Sequence, residues 1–383
     1  MSKPLNPAEV LLVRQKQLLA WYQLEKRDLP WRRTRKPYEI WLSEVMLQQT
    51  TVQTVIPRWK NFLEKFPTVQ DLANAPEEAV LAHWTGLGYY ARARNLHKAA
   101  KRVVKDFGGE LPDSFELLLA LPGMGRYTAA AVASIAFAEP VAVLDANVER
   151  VLTRWEANDQ NIRLPAVKKQ LWNTAQNTLV EKAASDWNQA MMELGALICT
   201  SRKPLCPQCP VSEACQANAL GEPTRFPNKG KEVEKDSARE VALLITNNQG
   251  QILAFQRPEK GSFALMWELP KVRCTAEASR LDEANALFNA LNLGNGTIHA
   301  PLQQHKHVVM NTKISLTVHP VSWSKTCDSF STPRQYSAGE WLTIQQLLLR
   351  PLSSTQQKVL SQLSHQQQKE PELLEKEIYL FEN

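Results

Sequence analysis

The chain has 383 residues, 44% hydrophobic and 22% charged, which allows two cores of ordinary size and matches a globular protein rather than a disordered or fibrous one. No apolar run reaches the roughly 18 residues that span a bilayer, and Met1 to Val10 lacks a signal-peptide core, so a cytoplasmic protein with no membrane partner is expected. The 45 Lys and Arg against 39 Asp and Glu leave a net +6, a balance that permits a polyanionic partner without requiring one, and six cysteines are too few for a disulfide scaffold of this length.

From Ala8 to about Leu220 the pattern is helical. Trp41, Leu42, Val45, Met46, Val52, Val55, Ile56 and Trp59 recur mostly at spacings of three and four, the period of a helix face. Phe66-Pro67, Gly86-Leu87-Gly88, Gly108-Gly109 and Pro122-Gly123 punctuate further helices. Within the first of these stretches Glu44 and Gln48 share a face, where a solvated carboxylate is the ordinary reading. Leu121-Pro122-Gly123-Met124-Gly125-Arg126-Tyr127-Thr128 lies between two helical segments. Gly123 and Gly125 allow a tight turn whose N–H groups point outward beside a helix N-terminus, a seat for a phosphate; a plain interhelical turn is the alternative. About twenty residues later comes Leu144-Asp145-Ala146-Asn147-Val148-Glu149-Arg150, in which Asp145 alone reads as a helix N-cap.

Cys199, Cys206, Cys209 and Cys215 follow the spacing Cys-x6-Cys-x2-Cys-x5-Cys, while Cys274 and Cys327 stand apart. Such clustering points to a metal rather than to disulfides. Four-cysteine zinc sites are common, but they usually show two Cys-x-x-Cys pairs, and only Cys206/Cys209 is one here. The wider arms suit a larger cube, so a 4Fe–4S cluster is preferred. The six-residue arm carries Arg202 and Lys203, which make a phosphate-contacting loop or, less specifically, a solvated one.

The character changes near Gly221. Gly221 to Glu240 is charged and contains Pro223, Pro227 and Gly230, which reads as a linker. Val241 to Thr246 and Ile252 to Phe255 then flank Asn247-Asn248-Gln249-Gly250, a hairpin pattern. Ile314, Leu316 and Val318 alternate with polar residues; helices are expected around Leu281 to Leu291 and after Thr343. The tail after Ser364 is rich in Gln and Glu, and partial disorder is expected there.

Leu29-Pro30-Trp31-Arg32, Trp41 to Thr50, Trp84 to Leu96, the Leu-Pro-Gly-x-Gly-Arg turn and Asn188 to Cys215 together resemble the MutY family of adenine DNA glycosylases over about Trp21 to Cys215. The cysteine spacing resembles that of the same family and of endonuclease III. Trp267-Glu268-Leu269-Pro270 resembles a segment of the family's C-terminal domain. The resemblance implies a multidomain protein: an all-α helix-hairpin-helix glycosylase domain at 1–220 with its iron–sulfur cluster loop at 199–215, a linker at 221–238, an α+β Nudix-like 8-oxoguanine recognition domain at 239–363 and a tail at 364–383. The implied protein is a monomer that acts on duplex DNA and removes adenine mispaired with 8-oxoguanine or guanine.

Breaking an N-glycosidic bond to adenine takes a neutral acid to protonate the base and an anion to stabilise the oxocarbenium-like sugar. The resemblance gives Glu44 the first role and Asp145 the second. It places Arg27, Leu29, Trp31, Arg32, Val52, Gln189 and Met192 around the adenine, and Gln49, Thr50, Leu87 and Tyr89 against 8-oxoguanine and the base stack. Relatives of the endonuclease III type carry a nucleophilic Lys where Tyr127 stands; Tyr forms no Schiff base, so base removal without strand cleavage is expected. Many family members have a basic residue at Glu149. The family's His-x-Phe-Ser/Thr-His loop aligns with His307-Val308-Val309-Met310-Asn311, leaving His307, Asn311 and an apolar Val309 for 8-oxoguanine detection. Ala276 to Leu293 lacks the Glu-rich helix of a working Nudix hydrolase. An endonuclease III-like glycosylase/lyase for oxidised pyrimidines, a non-catalytic damage-binding protein and a nucleotide-pool hydrolase are the competing readings.

Overall fold

The computed structural model describes residues 6–231, 236–275, 279–323 and 329–369. They fall into two compact units, one within Met1–His83 and Ala91–Glu232, the other within Trp84–Tyr90 and Val233–Asn383.

The first unit is helical: α1 (Pro7–Glu25), α2 (Pro37–Leu47), α3 (Val52–Lys65), α4 (Val69–Asn74), α5 (Glu77–His83), α6 (Ala91–Phe107), α7 (Phe115–Leu119), α8 (Arg126–Ala136), α9 (Ala146–Trp155), α10 (Pro165–Thr178), α11 (Ala184–Leu197) and α12 (Gln216–Ala219). The starts follow from local chemistry. Asn6 and Glu9 form a capping box ahead of α1, Thr68 and Asp71 do the same for α4, and Pro37 opens α2. Helix α8 is buried on every side from Thr128 to Ile135, as its run of small residues allows. Around it Leu144, Val148, Leu152, Trp155, Trp187, Met191 and Leu194 form the core, each buried side chain contributing about 1.5–3 kcal/mol.

The stretch read as a linker is largely part of this unit. Phe226 is buried, its carbonyl accepts from Arg154 Nε at 3.0 Å, and Asn228 O accepts from Ile162 N at 3.0 Å. Proline and charge marked the segment as loop, but a buried guanidinium anchors it. Of the expected linker, 232–235 lie outside the described residues.

The second unit holds β1 (Asp236–Ile245), β2 (Ile252–Gln256), β3 (Trp267–Glu268), β4 (Lys271–Cys274), α13 (Arg280–Ala290), β5 (Gly296–Ile298), β6 (Gln303–Val309), β7 (Thr312–Trp323), β8 (Ala338–Leu342), α14 (Ile344–Leu348) and α15 (Ser354–Lys369). One sheet runs β4-β1-β7-β5, with β6 also on β7; the other runs β3-β2-β8. Strands β1 and β7 are parallel, from Asp236↔Thr312 to Ile245↔Val321. Their alternation splits the core: Ala242, Leu244, Leu316 and Val318 pack with α14 and α15, and Val241, Leu243 and Ile245 pack with α13.

The expected hairpin is corrected. The chain does turn at Asn247–Gly250, but β1 and β2 share only the Thr246↔Ile252 bridge and pass into different sheets. The helix expected near Leu281 is α13, and Thr343 caps α14. Helix α15 continues five residues past Ser364 to Lys369, so the start of the expected tail is helical; 370–383 lie outside the described residues.

Candidate active site

A single cleft of ≈ 790 Å³ in the helical unit gathers residues from five places in the sequence: the 3₁₀ turn at Pro30–Arg32, the end of α2, the Gly123–Gly125 turn, the α9 N-terminus and α11. Arg27, Leu29, Trp31, Arg32, Glu44, Gln49, Thr50, Val52, Gly123, Gly125, Tyr127, Asp145, Gln189 and Met192 all line it. Leu87, Tyr89, His307 and Asn311 belong to the other unit.

Glu44 sits on the third turn of α2 and is 5% exposed, so the solvated-face reading fails. Burial is the largest influence on its carboxyl and, with the nearby Asp145, pushes it up to about 7; the Tyr127 hydrogen bond and Arg32 pull the other way. Tyr127 reaches it from the first turn of α8, Oη donating to Glu44 Oε2 at 2.7 Å, with Met192 Sδ 3.2 Å from the same hydroxyl. The tyrosine is half-buried, and desolvation of its hydroxyl, with Glu44 and Asp145 nearby, raises its pKa well above the ordinary value, so the hydroxyl remains a donor. Trp31 supplies part of the apolar wall and packs edge-on to Trp59 at 6.1 Å.

Asp145 is both a helix cap and a cleft residue. Its Oδ1 accepts from Asn147 N at 2.9 Å and Val148 N at 2.8 Å, and its Oδ2 accepts from Asn147 Nδ2 at 2.7 Å. Burial is the largest influence and leaves its carboxyl above the ordinary value, with these three donors and Arg150 offsetting only part of the rise. In all three the Asp145 oxygen accepts from an N–H donor, which favours the ionised form. The segment before it is held by Asn188, whose Oδ1 accepts from Val143 N at 3.2 Å and whose Nδ2 donates to Val141 O at 2.8 Å. Burial raises both carboxyls, but their donors differ: Glu44 has one hydroxyl donor in an apolar wall, and Asp145 has three N–H donors at a helix N-terminus.

Glu193, on α11, was not marked by the sequence. It is 1% exposed and accepts from Arg27 N, Arg27 Nε, Arg27 Nη2, Arg32 Nη1 and Arg32 Nη2 at 2.6–3.0 Å. Burial alone would raise its carboxyl; the two guanidinium partners override that and hold it at about 2. Asn147 was also missed, although its position two residues after Asp145 on a helix start is the usual place for a residue that closes the cap. Glu149 is buried, and its ion pair is with Lys168 of α10.

The turn that carries the candidate phosphate seat is built around Gly123. Its φ is +74°, and a Cβ there would lie 2.4 Å from Asn95 Cβ, so only glycine fits. Gly125 caps α8.

Cys199, Cys206, Cys209 and Cys215 are all free thiols and line one cavity together with Arg154, Trp155 and Leu194. Among the described residues no group of three or more His, Cys, Asp or Glu is arranged to hold a single metal ion. The four cysteines face one void. Burial pushes the Cys209 thiol up to about 12 and raises Cys206 and Cys215 as well, with neighbouring sulfurs adding to each. A set that resists ionisation in common requires a cationic partner to become thiolate together. Arg154 Nη1 donates to Cys199 Sγ at 3.2 Å and to Thr200 O at 2.8 Å. Arg202 and Lys203 are exposed on the same loop.

In the second unit, Leu87 is buried, and Tyr89 is 64% exposed at φ 48°. His307 is not in a loop. It lies in β6 opposite Ile314, half-buried, with burial holding its imidazole below the usual range. Val309 pairs with Thr312, so Met310 and Asn311 form a two-residue turn. Val309 is half-buried, and the apolar group that projects is Met310, 91% exposed at φ 53°. Nearby, Lys271 Nζ lies 3.2 Å from Glu240 Oε2 and 3.1 Å from Glu268 Oε2. Among the described residues no helix is long and apolar enough to cross a membrane.

Residues 42–177 match the family described as HhH-GPD superfamily base excision DNA repair protein, and residues 241–362 match the NUDIX domain family. The chain is 36% identical to an adenine DNA glycosylase of Homo sapiens over 407 residues, covering 91% of this chain and 74% of the relative. It is 32% identical to an adenine DNA glycosylase of Buchnera aphidicola subsp. Baizongia pistaciae, covering 79% of this chain and 84% of the relative. The solved structure of a thermostable thymine-DNA glycosylase superposes with a TM-score of 0.52 at 31% identity, covering 56% of this chain and 98% of that one.

Proposed function

The chain belongs to the adenine DNA glycosylases of base excision repair, and from that premise we propose that it removes adenine paired with 8-oxoguanine or guanine in duplex DNA without cutting the strand. The observation that carries the chemistry is the contrast between two carboxyls in one cleft: Glu44, pushed up to about 7, and Asp145, held by three N–H donors.

At neutral pH a large share of Glu44 is protonated. The Tyr127 hydroxyl occupies Oε2, which leaves Oε1 to carry the proton toward N7 of an adenine rotated out of the duplex. Protonation turns adenine into a neutral leaving group. Positive charge then develops on the sugar, and the Asp145 carboxylate stabilises it from a helix N-terminus whose N–H donors favour the ionised form against burial. Water completes the exchange at C1′. Leu29, Trp31, Val52 and Met192 exclude bulk water, and Gln189 offers an amide to the base edge. Arg27 and Arg32 line the same wall with their charges turned to Glu193. Gln49 and Thr50, at the rim, face the base opposite the adenine. Tyr127 has no amine, so the abasic product is released uncut.

Cys199, Cys206, Cys209 and Cys215 would hold a 4Fe–4S cluster. The cluster would supply a covalent anchor that ties down a basic loop rather than a step at the glycosidic bond. Arg202, Lys203 and the turn at Gly123 and Gly125 would meet phosphates. The second unit is assigned to recognition of 8-oxoguanine, through the β6–β7 turn and Tyr89, rather than to nucleotide hydrolysis. Helix α13 offers only Asp282 and Glu283 as acids, and Lys271, Arg257 and Arg273 already pair with Glu240 and Glu268.

Single-turnover release from duplexes carrying A:8-oxoG, A:G or oxidised thymine, with and without alkali, tests the reading. Adenine release from the first two, with strands cut only after alkali, is the expected result. Glu44→Gln and Asp145→Asn should bind duplex and release almost nothing; near-normal release by Glu44→Gln would remove the acid role.

A further inference from the structure

Helix α2 ends at Leu47, and the chain reverses at once through Gln48, Gln49 and Thr50. Helix ends leave unpaired carbonyls, and here one side chain collects them. Arg92, in the first turn of α6, donates from Nη1 to Val45 O at 2.8 Å, Met46 O at 2.9 Å and Gln48 O at 2.6 Å, and from Nη2 to Thr50 Oγ1 at 3.2 Å. Gln49 between these anchors has φ 57°, a left-handed backbone that costs a residue other than glycine about 1 kcal/mol and persists only where its surroundings enforce it. Gln48 is tied separately to α8 by its Nε2–Thr128 Oγ1 bond at 3.0 Å. Gln48, Gln49, Thr50 and Thr51 all line the cleft that holds Glu44.

We propose that Arg92 is a positioning residue: its guanidinium fork enforces the reversal at Gln48–Thr50 and so sets how Gln49 and Thr50 meet the base opposite the adenine. This rests on the reading that these two residues face that base. One arm of the fork grips the helix end and the other grips Thr50, which fixes the distance between them. A lysine, a single point donor, cannot hold both ends at once. The acid does not depend on the fork in the same way. Glu44 is one turn back inside α2 and is oriented by Tyr127, so loss of the fork should loosen recognition of the opposite base while leaving proton donation in place.

The test uses the full chain with Arg92→Lys and Arg92→Gln, neither of which can hold the helix-end carbonyls and Thr50 Oγ1 at once, and a melting scan of each variant separates a folding defect from a change in recognition. Affinity and single-turnover adenine release are measured on A:8-oxoG and A:G duplexes at saturating protein. In both variants the preference in affinity for A:8-oxoG over A:G should fall about tenfold, the equivalent of one charge-assisted hydrogen bond, while release from A:8-oxoG stays within about threefold of wild type. Unchanged preference in both variants overturns the proposal, including where Arg92→Lys merely lowers the melting temperature. Equal loss of release rate on both duplexes at unchanged preference also overturns it, because Arg92 would then serve the helix of Glu44 alone. Failure of the wild-type chain to release adenine from either duplex would instead remove the underlying reading, and a working wild type with indifferent variants removes only the role of Arg92.

Discussion

Replacing Glu44 by Gln should inactivate the protein and stabilise it, with the gain confined to higher pH. The Glu44 carboxyl is pushed from the ordinary 4.5 up to about 7, chiefly by burial. The native state therefore binds this proton more tightly than the unfolded chain does. The associated stability is fully present below about pH 4.5 and is lost as pH rises toward 7 and beyond. At about 1.4 kcal/mol per tenfold change in proton affinity, the loss is roughly 3 kcal/mol at pH 7 and slightly more at pH 8. Glutamine has nearly the same shape, never ionises, and its carbonyl can still accept from Tyr127 Oη. In a helical unit of this size, about 2–4 °C accompanies each kcal/mol, so the unit in Glu44→Gln should melt roughly 6–12 °C above wild type at pH 8, with the gap nearly closed at pH 4.5. Calorimetric scans of both proteins at the two pH values measure it, and groups not coupled to Glu44 cancel in the difference. A gap that is the same at both pH values, or a Glu44→Gln protein less stable at pH 8, would refute the claim that this carboxyl is held neutral at a cost.

Four further outcomes follow from particular contacts. Release requires protonated Glu44, so the rate should fall as pH rises through about 7; because the Tyr127 bond lowers this pKa, Tyr127→Phe should move that alkaline limb to higher pH, and a pH–rate profile whose limb stays put would count against the 2.7 Å bond as a determinant. Protein prepared without oxygen should contain about four iron and four sulfide per chain; stoichiometric zinc and no iron would refute the cluster. Strands from A:8-oxoG duplexes should stay intact until alkali is added, and high-yield borohydride trapping would contradict the reading of Tyr127. Met310→Gly should raise the melting temperature of the second unit by relieving the φ 53° backbone, yet weaken the preference for A:8-oxoG in binding; loss of stability, or unchanged preference, would show that the exposed methionine is not a contact.

Much of the cleft was legible because its residues sit in short motifs whose helical period is unambiguous. Trp41 to Thr50 places Glu44, and Gly125 to Thr128 places Tyr127 at a helix start. What escaped was set by partners distant in sequence. Glu193 lies one turn beyond Gln189 and looks like a solvated acid until Arg27 and Arg32, more than 160 residues earlier, close on it. Arg92 likewise reads as one of several basic residues until the carbonyls of α2 are in place. Burial within a motif was equally hidden: Gly86 to Tyr90 contains two candidate stacking side chains, and only the structure separates buried Leu87 from exposed Tyr89. The hairpin after β1 failed for a topological reason. The neighbour of β1 is β7, nearly seventy residues later and parallel, and a local turn signal carries no information about such a pairing.

Glu193 also resolves an apparent conflict in the cleft. An acid that must stay neutral is best kept from cations, yet Arg32 lies close enough to pull the Glu44 carboxyl down, and Arg27 lines the same wall. Bare guanidiniums there would favour ionised Glu44 and reduce the protonated fraction at neutral pH. With both guanidiniums bonded to one buried carboxylate, their donors are turned away from Glu44, and part of their positive field is cancelled at its source. Glu193 can do this because it gives up its own proton almost completely, held at about 2 despite burial. The cleft thus contains three carboxyls with three environments. One is paired with arginines and held at about 2, one is raised by burial but offset in part by three N–H donors, and one is given only a tyrosine hydroxyl and pushed up to about 7. The raised carboxyl of Glu44 comes first from burial, and the pairing of Arg27 and Arg32 with Glu193 limits the smaller pull that Arg32 exerts on it.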